Sequence, residues 1–433
     1  MSQLPRIVIL GGGFAGLNVA KRLDKSRYEV HLVDRNNYHS FPPLFYQVAS
    51  AGLDPTGISF PLRREMRKLR PRNIRFHLGE VKEVDAVART VTTSYETLAY
   101  DYLIIALGTT NNFFSNPGLI NDVFTLKSVD EAIRLRNEIL YRCEKAAITT
   151  DEAERKRLLS FVVIGGGPAG VEIAGALGEL KRYILCRDYP SIPPDDMSID
   201  LLEGSDRLLR TMSEKASRTA LKDLTNLMVN VRLGHVMTAY EGDRLTLDDG
   251  TELNAGMAIW TAGVTAVPFG VKGVDEKSFR GPGGRIITDD ACRVIGHPEI
   301  MAIGDIGYFQ SEKYPRGLPQ LAQVAIQEGR YVADGLNGGG VFRLPFTYRD
   351  RGSMATIGRN RAVADIGKWH LNGFVAWVAW MFIHLISLLG MRSKLNVLLN
   401  WVWAYFTHNT ALRLLFQGSP YPRRGRMHDK GDV

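Results

Sequence analysis

Cysteine is scarce in this chain: Cys143, Cys186 and Cys292 lie far apart among 433 residues, and none belongs to a C-x-x-C pair. That excludes a cysteine metal knuckle and a disulfide-built scaffold, and it fits reduced thiols in a cytosol-facing protein. A charged-then-apolar leader is missing from the start, so no secretory signal is expected. RNA- and DNA-binding motifs are missing too. Glycine is plentiful, 43 residues clustered in turns after apolar runs, as α/β folds require. Hydrophobic residues at 45% and charged residues at 23% describe a globular protein. The length exceeds one ordinary core, so two or three domains are expected. A net charge of +8 suits an acidic partner, a nucleotide or an anionic membrane surface, with nucleic acid a remote option.

Two stretches carry the chemistry. "IVILGGGFAGLNVAKRL" (7–23) and "FVVIGGGPAGVEIAG" (161–175) each read as a buried strand, a glycine turn and a helix. In Gly11-Gly12-Gly13-Phe14-Ala15-Gly16 the spacing is G-x-G-x-x-G. The first glycine permits the tight turn, the second lets backbone approach a pyrophosphate, and the third lets helix and strand pack closely. The helix N-terminus then offers free N–H groups and partial positive charge to the anion. Asp34 closes the next strand eighteen positions on, where it can accept hydrogen bonds from a ribose 2′-hydroxyl. The plainer alternative is a glycine-rich turn beside a surface aspartate. The second copy is Gly165-Gly166-Gly167-Pro168-Ala169-Gly170, with Glu203 at the end of "SIDLLE" as its acid. The longer gap holds "CRDYPSIPPDDM", read as an inserted loop at 186–197. A carboxylate at Glu203 repels a 2′-phosphate and favours NADH over NADPH, a preference that Arg207 nearby weakens. Two dinucleotide sites in one chain point to a bound flavin and a visiting nicotinamide, since hydride transfer needs the two rings at near-attack distance and little else.

Further apolar runs set the organisation. "YDYLIIALGTT" is a strand buried on both faces, and "HPEIMAIGDIGYF" is another that returns to the first unit. The expected fold is α/β, with two Rossmann-like dinucleotide-binding domains and a C-terminal membrane-associating helical region. Residues 1–125 form the first part of an FAD-binding domain and 126–158 a helical connection. Residues 159–270 form the NADH-binding domain, 271–345 the second part of the FAD-binding domain, and 346–433 the C-terminal region.

This combination resembles the two-dinucleotide-binding-domain flavoproteins, the glutathione-reductase-like superfamily, over about residues 5–340. The Gly304-Asp305 pair in "MAIGDIGYF" matches the acid that holds the flavin's ribityl chain, and "AIWTAGV", with Ala262 and Gly263, matches the NADH-domain crossing strand. Within the superfamily the chain resembles the type II NADH:quinone oxidoreductases, single-subunit respiratory enzymes that do not pump protons. "NNYHSFPPLFYQVASAG", "GVEIAG", "LAQVAIQEG" and "GMRSKLNVLLNWVWAYF" carry that likeness. It implies FAD as cofactor, NADH as substrate and a membrane quinone as acceptor. It also implies Glu172 near flavin and nicotinamide, Ala322, Gln323 and Gln327 at the flavin and quinone pocket, and Lys394 close to both. By the same likeness Val81 offers its backbone to the adenine and Arg35 flanks the ribose. No EF-hand-like insertion is present, so calcium control is not implied. Disulfide reductases need a redox pair after the first helix, and no cysteine precedes Cys143. A sulfide:quinone reductase, an NADPH-dependent relative and a dinucleotide-binding redox sensor without turnover stay open.

Each singled-out residue has a plainer reading. Glu172, one turn into its helix, either complements the helix N-terminus or relays protons to quinone. Gln323 and Gln327, four apart, share a helical face, and either decorate the surface or hydrogen-bond a quinone carbonyl. Lys394 is a quinone-side group or a snorkelling membrane-surface lysine. "GFVAWVAWMFIHLISLLG" (373–390) has no charge and just reaches the lower length of a membrane span. Gly373, Trp377, Trp380, His384 and Ser387 share one face, and Asn396, Asn400 and His408 recur at multiples of four. Arg392 and Lys394 are expected to break the segment into two amphipathic helices. These lie in the interface with Trp, and His384, at headgroup depth, and the basic tail "YPRRGRMHDKGDV" meets anionic lipid. A buried core or a homodimer surface is the alternative for such a stripe. The expected location is peripheral, on the cytoplasm-facing inner side of a bacterial membrane, with no nucleic-acid partner and no metal.

Overall fold

A computed structural model describes residues 4–69, 73–114, 116–407 and 412–415. The chain forms two compact units. The first comprises Met1–Ser40, Ser59–Thr110 and Val264–Arg351; the second comprises Phe41–Ile58, Asn111–Gly263 and Gly352–Val433.

The first unit is built on the strand Arg6–Leu10, in which Ile7 to Leu10 have no exposed surface. Only a strand covered on both faces tolerates such an unbroken apolar run. It pairs in parallel with Glu29–Asp34 on one side and Tyr102–Ile105 on the other. Ile74–Leu78 extends the first side, and His297–Ala302 extends the second. The chain therefore reverses its direction of growth across the sheet beside the first strand. That is the switch point where open α/β sheets bind ligands. The helix Ala322–Asn337 lies on Phe14–Arg22, and Arg22 grips Asp334 through two hydrogen bonds of 2.5 and 2.8 Å.

The second unit repeats the plan. Ser160–Ile164 is wholly buried between Ser198–Glu203 and Met257–Trp260, with Asn230–Leu233 beyond the former and Phe124–Thr125 beyond the latter. All these pairings are parallel. A three-stranded antiparallel sheet, Ser353–Gly358, Arg361–Ile366 and Trp369–Asn372, covers the helix Pro168–Glu179. Gly175 makes this possible: a Cβ there would stand 2.8 Å from the Ile357 carbonyl carbon.

That helix does not stop at Glu179. It runs on as a π-helical segment, Leu180–Leu185, and a last turn, Cys186–Asp188. The segment 186–197 is thus not wholly an inserted loop: it begins as helix and ends in the short 3-10 turn Pro194–Asp196. Lys181 anchors this region by donating to the Met197 carbonyl at 2.6 Å.

The C-terminal helices are Gly373–Ser387 and Met391–Thr407. Arg392 and Lys394 do not break them apart; both sit in the first turn of the second helix, and the break falls at Leu388 to Gly390. One member of the aromatic stripe, Trp380, faces inward and not towards the expected interface. Trp380 is 1% exposed, packed edge-on to Tyr46 and against Trp401, and His384 stacks on it at 4.1 Å. Trp377 is half-buried. Phe382, Ile383 and Ile386 point outward instead. The rings gain more from each other's faces and from apolar cover than smaller side chains would, so Trp380 becomes core, Trp377 and His384 stay half-buried, and an apolar face is left outside. Among the described residues, no helix is long and apolar enough to cross a membrane. His408 and the basic tail 421–433 lie outside the described residues.

Candidate functional site

The two glycine turns are built alike. Gly11 and Gly165 both have positive φ, +105° and +110°, and a Cβ on either would stand 2.8 Å from the backbone of the neighbouring crossing strand's end, Ala106 or Ala262. Gly16 and Gly170 are closed in by the carbonyls of Gly11 and Gly165. By contrast, a Cβ at Gly13 or Gly167 would meet nothing within 4 Å. A Cβ at Gly12 or Gly166 would also be crowded, by Leu62 or by Leu208 and Glu203, so each turn has three glycines hemmed in by packing and one left open at the N-terminus of the following helix. That open face is what a pyrophosphate needs.

The strand-end acids hold the turns. Asp34 Oδ2 accepts from the Gly12 N–H at 2.6 Å, and Glu203 Oε2 accepts from the Gly166 N–H at 2.6 Å. Their second oxygens accept from Asn36 N at 2.7 Å and Ser205 N at 2.8 Å. A carboxylate oxygen has a second lone pair, so both acids can still accept from a ribose hydroxyl. Burial pushes the Asp34 carboxyl up, and the two backbone donors pull it back. Arg35 is exposed beside it, Phe14 is half-buried, and Val81 opens the strand Val81–Asp85. Asp305 follows the strand His297–Ala302, and its Oδ2 accepts from Thr109 Oγ1 at 3.3 Å. The donor set, open glycine and acids of the first unit fit an FAD; those of the second fit an NADH.

Sequence reasoning missed Glu328. It is 3% exposed, its Oε2 accepts from the Gly304 N–H at 2.5 Å, and burial raises its carboxyl to about 8. It thus braces the backbone next to Asp305.

Gln323 and Gln327 share a face, as their spacing requires, but their amides are engaged. Gln327 donates to the Arg349 carbonyl at 2.9 Å and accepts from its N–H at 3.0 Å, while Gln323 accepts from Arg351 N at 3.0 Å. Ala322 is the first residue of their helix. In the second unit, Lys394 Nζ donates to the Ile386 carbonyl at 2.6 Å.

Glu172 is different. It lines a cavity of about 170 Å³ with Tyr46, Thr356, Trp377, Trp380 and Trp401. Burial pushes its carboxyl well above the usual range, and hydrogen bonding to the Thr356 backbone is the one opposing influence. Tyr46, whose hydroxyl accepts from Gln47 Nε2 at 2.8 Å, is pushed up by burial and by the neighbouring Glu172. Trp401 Nε1 donates to Gln47 Oε1 at 2.8 Å, which fixes the amide. Trp380 Nε1 is buried with no hydrogen-bond partner among the described residues. Such an orphan donor needs a water or a ligand. None of these aromatic partners was singled out from the sequence as a site residue, because they come from segments more than a hundred residues apart. Glu179, also on the cavity wall, could have been found: it repeats Glu172 two helical turns on in the apolar stretch "GVEIAGALGE".

Paired nucleotide-binding units of this construction define a flavoprotein of the two-dinucleotide-binding-domain class. Residues 5–329 match the pyridine nucleotide-disulphide oxidoreductase family, and residues 351–408 match the NDH2 C-terminal domain. The chain is 36% identical over 413 residues to the type II NADH:quinone oxidoreductase NdhA of Mycobacterium tuberculosis, covering 92% of this chain and 86% of that protein. It is 33% identical to Ndh of the same organism, over 93% of this chain and 88% of that one. The solved NDH2 of Plasmodium falciparum in complex with NADH shares the fold at a TM-score of 0.87 and 21% identity, covering 96% of this chain and all of the other. The chain belongs to the type II NADH:quinone oxidoreductases.

Proposed function

We propose that this chain oxidises NADH and reduces a membrane quinone without pumping protons. The observation that carries the reading is the twin construction of the glycine turns, each with its acid clamped on the second glycine. FAD held at the first turn supplies the two-electron carrier between NADH and quinone. The chain's own residues do the rest. Gly13 and Gly167 leave backbone N–H groups open to pyrophosphates, and Asp34 and Glu203 orient the riboses. Asp305 is positioned for a flavin side-chain hydroxyl. Glu172, whose burial favours the protonated form, supplies a proton to the acceptor, and Trp380 Nε1 is a donor for a quinone carbonyl in the same cavity. Gln323 and Gln327 serve mainly to fix the backbone at 349–351, and Lys394 the C-terminal helix pair.

Glu203 favours NADH over NADPH through charge repulsion. A sulfide-dependent chemistry is disfavoured by the thiols: burial lifts Cys143 to about 12 and Cys292 well above its ordinary value, so neither offers a thiolate. The outward apolar face of the C-terminal helices and the net charge of +8 support peripheral attachment to an anionic bilayer. The mycobacterial relatives support the inner face of a bacterial cell membrane, and the same face also suits a homodimer. An anaerobic absorption titration tests the function: NADH should bleach the flavin and a short-chain quinone should restore it. A colourless protein, or a flavin that NADH leaves oxidised, sinks the reading.

A further inference from the structure

Each turnover converts NADH, one proton and a quinone into NAD⁺ and a quinol, so one of the quinol's two protons must come from solution. Glu172 lines a cavity, and an acid that gives up its proton there has to be reloaded. The second unit contains a structure suited to this.

Glu172 and Glu179 flank Gly175 on one face of their helix, and both line that cavity. Seven residues separate them by about 10 Å along the axis, too far for direct transfer. Tyr46 is electrostatically coupled to both acids, and its hydroxyl is bonded by Gln47 and Thr356. Glu179 also lines a second cleft of about 290 Å³ with Tyr183, Leu227, Arg359, Asn360 and Arg361. It is therefore a wall shared by the two spaces. The sheet fixes it there, since Glu179 Oε1 accepts from the Arg359 N–H at 2.5 Å. The Arg359 guanidinium is spent on the carbonyls of Ala404 and Tyr405, at 2.8 and 3.1 Å, and not on the acid. Asn360 Oδ1 is buried in this region with no partner among the described residues, which calls for a water in the cleft. The π-helical segment starts immediately after Glu179, and such segments gather at functional places.

We propose that Glu179 is a relay acid that carries protons from the second cleft to Glu172, with the Tyr46 hydroxyl and cavity water between them. This rests on the quinone-reducing function proposed above. The proton enters from water in the cleft, occupies a Glu179 carboxylate oxygen, and leaves on the side that faces Glu172 as Glu172 is emptied. No electron moves in these steps. The charged and titratable groups facing Glu179 are Glu172, Tyr46, Tyr183, Arg359 and Arg361. Burial pushes its carboxyl up and so favours its protonated form, while the Arg359 backbone donor and the two arginine charges moderate the shift.

The test uses the full flavin-loaded chain with two acceptors: a short-chain quinone, which takes up protons, and ferricyanide, which does not. In Glu179→Gln the ratio of quinone to ferricyanide turnover should fall about tenfold, most strongly above neutral pH, and Glu179→Asp should restore part of it. In Glu179→Ala formate should raise the ratio, because the vacated space admits a small acid. An infrared pH titration of the Gln variant should lose one protonated-carboxyl band. An unchanged ratio across the pH range, an absent formate effect, or an intact infrared band overturns the relay. Failure of the wild-type protein to oxidise NADH with either acceptor overturns the underlying function instead.

Discussion

Gly175→Ala gives the sharpest test of how the sheet Ser353–Asn372 meets its helix. In an exposed helix the change would stabilise by about 1 kcal/mol, because glycine is the poorer helix former. Here the new methyl would stand 2.8 Å from the Ile357 carbonyl carbon and closer still to its oxygen. Carbon atoms prefer about 3.5 Å or more, so the strand Ser353–Gly358 must retreat by roughly 1 Å. Overpacking of this kind costs about 1–3 kcal/mol. The retreat also stretches the bonds from Thr356 to Glu172 and from Arg359 to Glu179, at about 1 kcal/mol each. The expected net loss is about 2–4 kcal/mol, a fall in Tm of roughly 5–15 °C for a unit of this size. Thermal melts followed by circular dichroism, with flavin fluorescence as a second probe, measure it. An alanine variant that melts at or above the wild type would mean that strand and helix do not lie backbone to backbone.

The other predictions concern ligand sites, pH and surface. Asp34→Ala removes the acceptor for Gly12 and Asn36, so FAD should bind about 10–100-fold more weakly, and a purified variant with full flavin content would contradict this. Glu203→Ala removes a carboxylate beside the ribose, and the NADPH-to-NADH ratio of kcat/KM should rise about tenfold or more; no change would mean that Glu203 only clamps the turn. Burial lowers the His384 ring to about 4, whereas an unfolded histidine titrates near about 6.5. The unfolded chain therefore gains a proton below pH 6.5 that the native ring refuses, and stability falls from there towards pH 4, by about 2 kcal/mol at pH 5. His384→Gln should flatten the fall in Tm between pH 7 and pH 5, and identical losses would count against it. Phe382→Ser with Ile386→Ser should leave Tm nearly unchanged yet cut co-sedimentation with anionic liposomes, since these side chains are 63% and 54% exposed; undiminished sedimentation would locate the lipid contact elsewhere.

What was legible in the sequence was what is local. The glycine turns declare themselves because only glycine fits a backbone at positive φ or packed against a strand, and the buried strands declare themselves by unbroken apolar runs. Periodicity placed Gln323 with Gln327, and Trp377 with Trp380 and His384, on common faces. It could not say what lies opposite each face. The amides meet the backbone at 349–351, and Trp380 meets Tyr46 and Trp401, so this member of the expected headgroup layer turned out to be core. The break between the C-terminal helices was misassigned because charge was weighed above Gly390.

Two readings of Glu172 came from the sequence, a complement to the helix N-terminus and a proton carrier, and magnitudes favour the second. A helix dipole stabilises a carboxylate in its first turn by about 0.3–1 kcal/mol, less than one pKa unit. Removing a carboxylate from water shifts it by up to about 3–5 units the other way. At Glu172 burial comes first and upward, opposed only by hydrogen bonding to the Thr356 backbone. An acid meant to complement a dipole has no reason to be enclosed by Tyr46, Trp380 and Trp401, where its charged form is disfavoured. An acid meant to hold a proton until an acceptor draws it off does. The same helix is capped by Gly167, where the turn is left open. A dinucleotide bound there would oppose the N-terminal positive end and weaken one of the two backbone features that favour ionised Glu172, the other being the Thr356 hydrogen bond. Nucleotide binding and proton retention therefore act in the same direction along a single helix, and Gly175 keeps the sheet close enough for both acids on that helix to be held.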